Sequence, residues 1–105
     1  MISTHILDTS LGAPAAGVRV TLEKKTGLEW KHLAEGVTNS DGRHAFDCPS
    51  ETGDYRLTFF IEAYFNGKES FFLNTPIAFR VNSTGRKYHV PLLLNPFGLS
   101  TYRGS

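Results

Sequence analysis

Two histidines, His5 and His89, sit in stretches that are otherwise largely apolar, "ISTHILD" at residues 2–8 and "KYHVPLLL" at 87–94. An imidazole titrates near neutrality, so either ring can take a proton from water and turn a poor nucleophile into a good one. Arg43 follows a turn, "TNSDG" at 38–42, and Arg103 lies in the closing run "STYRGS" at 100–105. A guanidinium stays charged at neutral pH. It can stabilise a developing oxyanion, or hold two oxygens of a planar heterocycle by parallel hydrogen bonds. The closing run adds the phenol of Tyr102, the flexible Gly104, and Ser105 with the carboxylate of the chain as given. A base beside cationic donors suits hydrolysis by activated water. No Ser/His/Asp or Cys/His arrangement is readable, so no covalent nucleophile is expected. No CxxC, HxH or HExxH spacing supports a metal, and no cofactor is called for.

The elements that must position these groups are strands. "VRVTLE" (18–23) alternates, with Val18, Val20 and Leu22 facing inward; "DYRLTFF" (54–60) and "PIAFRV" (76–81) do the same. Further strands are expected at 2–8, 29–37, 43–46, 87–94 and 99–105. Loops or turns are expected at 9–17, 38–42, 47–53, 82–86 and 95–98, rich in Gly, Pro, Asn, Asp or Ser. "IEAYFNG" (61–67) is the one helix candidate, ended by Gly67 as C-cap. Phe59, Phe60, Phe65, Phe71, Phe72 and Phe79 are read as core. Eight short strands with regular turns predict an all-β, antiparallel β-sandwich with one short helix, in a single domain over 1–105.

A sandwich strand should have one wet face. In 87–94 both faces are largely apolar: Tyr88, Val90, Leu92 and Leu94 on one, His89, Pro91 and Leu93 on the other. The first strand is similar, with Ser3, His5 and Leu7 opposite Thr4 and Ile6. A second apolar face predicts an interface, hence a homo-oligomer whose buried surface carries His5 and His89. The turn at 95–98 makes the last two strands a hairpin; in one register Ser100, Tyr102 and Gly104 share a face and Arg103 points the other way or off the strand end.

The formal net charge is only +1. That argues against nucleic acid and against a polybasic membrane surface as partners. One cysteine, Cys48, permits no internal disulfide and fits a reducing compartment. No signal peptide and no run of about 18 apolar residues is visible. The cytoplasm is the default reading, with the periplasm or the peroxisome applying where a leader has been removed. The C-terminus is not an SKL-type signal.

The stretches "HILDTSLGAPAAGVRVTLE", "TNSDGR", "YRLTFFIEAYF" and "YHVPLLLNPFGLSTYRGS" together resemble the transthyretin-like family over the whole chain. The closing Tyr102-Arg103-Gly104-Ser105 resembles the signature of its enzymatic branch, whose members hydrolyse 5-hydroxyisourate. The resemblance implies an eight-stranded transthyretin-like sandwich and a homotetramer, a dimer of dimers with a channel between them. It implies opening of a ring amide of 5-hydroxyisourate to 2-oxo-4-hydroxy-4-carboxy-5-ureidoimidazoline in urate degradation. Site residues carry over onto His5, Arg43, His89 and Ser105 as catalytic, and onto Tyr102, Arg103 and Gly104 as substrate-binding. His89 is favoured as the base, with His5 positioning water or the leaving group; the two roles can be exchanged. Ala13 and Leu99 depart from the family pattern, the first in a loop, the second where it touches packing of the tail.

Singly, each residue has a plainer reading. Arg43 after "DG" would be a solvated hairpin arginine, Tyr102 interface packing, Cys48 an inert thiol, and His32 and His44 surface or packing residues. The functional reading rests on the joint occurrence of His5, Arg43, His89 and the tail. Two other classes are weighed against it. One is a small-ligand carrier without hydrolase activity, which charged groups and Tyr102 at a channel mouth disfavour. The other is a structural sandwich, which shares the strand-turn pattern but would not need a polar C-terminus.

Overall fold

Period-two alternation leaves one face of each strand apolar, and two sheets bury those faces against each other. The computed structural model describes residues 1–48 and 51–105. In chain order its elements are β1 (Ile2–Asp8), β2 (Ala13–Pro14), β3 (Arg19–Thr26), β4 (Glu29–Val37), β5 (Arg43–Phe46), β6 (Gly53–Phe59), α1 (Ile61–Phe65), β7 (Thr75–Val81), β8 (Tyr88–Asn95) and β9 (Gly98–Thr101). One sheet runs β2-β1-β8-β9, with β5 also on β1; the other runs β4-β3-β6-β7. Eight strands stand where the sequence predicts them. The two-residue β2 lies inside the expected 9–17 loop, and of the 47–53 loop Pro49 and Ser50 lie outside the described residues.

Between the sheets Ile2 and Ile6 of β1, Val20 and Leu22 of β3, Leu57 and Phe59 of β6, and Leu92 and Leu94 of β8 are buried in one core. Burial of each such side chain contributes about 1.5–3 kcal/mol. One pair breaks the antiparallel expectation. β1 and β8 run parallel, in the register Ser3↔His89, His5↔Pro91 and Leu7↔Leu93. The chain visits the second sheet between them, so no hairpin constrains their direction. That register puts Ser3, His5 and His89 together on the outer face of the first sheet, while Ile2, Thr4 and Ile6 face the core.

Three local expectations are corrected. The helix ends at Phe65, and Asn66, not Gly67, is its C-cap, with φ 42°. A short polar side chain lets Asn take the left-handed conformation. Phe71 and Phe72 are not core: they are 72% and 41% exposed, in a stretch that forms no strand. Their rings pack edge to face on each other, centroids 5.0 Å apart at 89°, and neither they nor Phe60, which lies under the Arg19 guanidinium, join the core. The last strand stops at Thr101 instead of running to 105; beyond it only an isolated bridge joins Gly104 to His89.

The turn before β5 hangs on Thr38. Its buried hydroxyl donates to the Ala15 carbonyl at 2.8 Å and accepts from the Val18 amide at 2.9 Å. Thr38→Val keeps the shape and orphans both main-chain groups, so stability should fall by about 2–3 kcal/mol, read as a lower urea midpoint. An unchanged midpoint would mean water replaces the hydroxyl.

Candidate active site

Arg43 is aimed by the turn that precedes it. Asn39 is its organiser: the side-chain oxygen accepts from the amides of Asp41 and Arg43, at 2.9 and 3.0 Å, and its own amide donates to the Arg43 carbonyl. Such local side-chain bonds are why Asn and Asp favour turns. Gly42 sits at φ +74°, and a β-carbon there would strike the Ile6 carbonyl oxygen. The Gly42 carbonyl in turn accepts from the Ile6 amide at 2.7 Å, which locks the turn onto β1. Arg43 thereby enters β5 directly opposite His5.

His89 is held from two sides. Its Nδ1 lies 2.8 Å from the Ser3 hydroxyl oxygen on β1. On the other side the tail returns, and the Gly104 amide donates to the His89 carbonyl at 2.8 Å. A β-carbon on Gly104 would meet His89 Cδ2 at 2.5 Å and Pro91 Cγ at 3.1 Å, so only glycine lets the tail lie this close to the ring. Partial burial lowers the His89 pKa below the ordinary histidine value. The positive charges of Arg43 and His5 push it the same way, and a hydrogen bond with the Ser3 main chain opposes them. The shift favours the neutral ring, the form a general base needs.

A cleft of about 370 Å³ opens on this face, lined by Ser3, Asn39, Arg43, Lys87, His89 and Ser105 among others. It carries two fixed positive charges, Arg43 and Lys87, and no Asp or Glu side chain among its described lining residues. His5 stands beside it, paired across the sheet to Arg43 and to Pro91. The structure therefore brings His89, Arg43 and Ser105 to one cleft, with His5 adjacent. Tyr102 and Arg103 go elsewhere. They line a separate, mostly apolar cleft of about 240 Å³ between β7 and β8, which shares His89 with the first. The Arg103 guanidinium stacks over the Tyr88 ring at 5.0 Å, while Tyr102 is 57% exposed. Of the other titratable candidates, His44 packs edge-on against Phe46, and exposed His32 lies 3.8 Å from Glu35. Burial pushes the Cys48 thiol up, toward inertness. Among the described residues no group of three His, Cys, Asp or Glu side chains could hold a metal ion.

This geometry can be set beside known proteins. The family model described as "HIUase/Transthyretin family" matches residues 2–104. The chain belongs to the HIUase/Transthyretin family. A 5-hydroxyisourate hydrolase of Salmonella typhimurium is 44% identical, in a match covering 100% of this chain and 81% of that protein. The solved 5-hydroxyisourate hydrolase of Klebsiella pneumoniae is also 44% identical, with a TM-score of 0.86 over 99% of this chain and 98% of that one. Transthyretin from Sparus aurata superposes with a TM-score of 0.88 but is 29% identical, over 98% of this chain and 95% of that one. The solved hydrolase and the solved transthyretin both share this backbone, so the fold does not separate them.

Within this HIUase/Transthyretin chain, sequence reasoning overlooked Ser3 and Lys87 as site residues. Ser3 was discoverable, since it lies two positions before His5 on the same strand face. Lys87 precedes β8, and nothing in its spacing points into a cleft. No helix of the described residues is long and apolar enough to cross a membrane.

Proposed function

We propose that this protein hydrolyses 5-hydroxyisourate, opening its ring amide to give 2-oxo-4-hydroxy-4-carboxy-5-ureidoimidazoline in urate degradation. The observation that carries this reading is one cleft holding His89, Arg43 and Ser105, in a chain 44% identical over its full length to proteins of that name. His89 takes a proton from water through its unbonded ring nitrogen as the water oxygen attacks the carbonyl carbon. Negative charge gathers on the carbonyl oxygen and faces the Arg43 guanidinium. The carbon–nitrogen bond then breaks, and the departing ring nitrogen collects the proton from the imidazolium. His5 orients the water or the leaving group. Arg43 and Lys87 make the cleft attractive to the oxygen-rich, planar substrate. The working unit is a homotetramer in which another subunit covers the outer face of the first sheet; Gly104 seats the tail on His89, and Tyr102 and Arg103 bind substrate from the adjoining cleft that shares His89. Neither nucleic acid nor membrane is a partner. The working compartment is the cytoplasm, which one unpaired cysteine suits.

The test is a decay assay. 5-Hydroxyisourate is generated from urate with urate oxidase, and its ultraviolet absorbance is followed with and without the protein across pH. Acceleration is expected. The base is the neutral ring and its pKa is lowered, so kcat/KM should hold as pH falls through 6.5, the ordinary histidine value, and decline only below it. Arg43→Ala removes one of the charges that lowers that pKa and should move the acid limb to higher pH. Folded protein that leaves the decay unchanged would favour small-ligand binding without hydrolysis.

A further inference from the structure

The ring of His89 has a geometry that says which of its nitrogens is free. Nδ1 and Cδ2 are the two ring atoms next to Cγ. Ser3 occupies the Nδ1 side at 2.8 Å, and Gly104 closes the Cδ2 side. The remaining edge, Cε1 and Nε2, points away from the strand, and Nε2 has no hydrogen-bond partner among the described residues. Ser3 lines the same cleft as Arg43 and Ser105. From the register Ser3↔His89, the serine is fixed to β1 and cannot drift from the ring without unpairing the sheet.

We infer that Ser3 is a positioning residue: its hydroxyl oxygen accepts the Nδ1 proton of His89, holding the ring in the tautomer whose Nε2 lone pair faces the cleft. The alternative, a hydroxyl that donates to Nδ1, would leave the proton on Nε2 and no base in the cleft. A hydrogen bond with the Ser3 main chain also raises the pKa of the ring, as an acceptor for a ring N–H does. In water the tautomer with the proton on Nε2 is the commoner one, so the choice has to be imposed. The choice of tautomer rests on the hydrolase reading, since only Nδ1–H leaves a base in the cleft, but it can be read without substrate.

The experiment has two readouts. Long-range nitrogen–proton NMR of His89 reports the tautomer without any substrate. Wild type should show the proton on Nδ1, and Ser3→Ala should shift the population toward Nε2. In the decay assay Ser3→Ala should lower kcat by about tenfold, a fraction of what a positioned base supplies, with KM nearly unchanged. Ser3→Thr keeps the hydroxyl and should restore both. A proton on Nε2 in wild type overturns the inference, and so does a Ser3→Ala variant with unaltered tautomer and kcat. A wild type that is inactive but holds Nδ1–H refutes the hydrolase reading and leaves the role of Ser3 standing.

Discussion

His89→Asn should lower kcat/KM for 5-hydroxyisourate ring opening by about 10²–10⁴-fold, the usual worth of a positioned general base. Asparagine can still hydrogen-bond to Ser3, whose oxygen lies 2.8 Å from Nδ1, and it still permits the Gly104 bridge to the main chain. It cannot take a proton at neutral pH. The melting temperature should therefore stay near that of wild type while the rate collapses, which separates proton transfer from packing. The acid limb of the pH profile should vanish with the ring. A variant that keeps full activity and the same acid limb would pass the base to His5, the other imidazole on the outer face.

The second large effect concerns a residue with no side chain. Gly104→Ala places a methyl group where His89 Cδ2 would stand 2.5 Å away and Pro91 Cγ 3.1 Å away. Pro91 is buried within β8 and cannot yield, so either the imidazole turns or the tail lifts off. A displacement of about 1 Å at a reacting group costs about 10²-fold, and a loss of that order is expected in the decay assay. The fold should survive, because the tail adds one bridge to the edge of a sheet whose strands pair without it. A variant ending at Thr101 should show the same loss with the same melting temperature. Wild-type rates in Gly104→Ala would mean that the tail does not seat His89. Wild-type rates in the truncation alone would be inconsistent with Ser105 as a site residue.

Much of the sandwich is legible because alternation is local. Val20 and Leu22, or Leu57 and Phe59, face the core whichever strand lies next to them, since successive side chains point to opposite faces. The turn at Asn39–Gly42 is legible for a similar reason: an Asn side chain that caps its own backbone, and a glycine at φ +74°, are properties of a few adjacent residues. Where alternation lapses, so does the reading. Phe71 and Phe72 look like core by type, yet no sheet lies over them.

The candidate site divides in the same way. The residues alone place His5 and His89 on the second, outward faces of their strands, Arg43 at the exit of a turn, and polar groups in the closing run. A period of two decides these things, and it needs no partner. Long-range packing adds that β1 and β8 run parallel with Ser3 opposite His89, that Gly104 closes over the imidazole, and that Arg103 stacks on Tyr88 instead of joining Arg43. Those facts depend on which strands become neighbours and in what register. They are set by burying one shared core, in which residues more than eighty positions apart must fit together, and no local pattern encodes that fit.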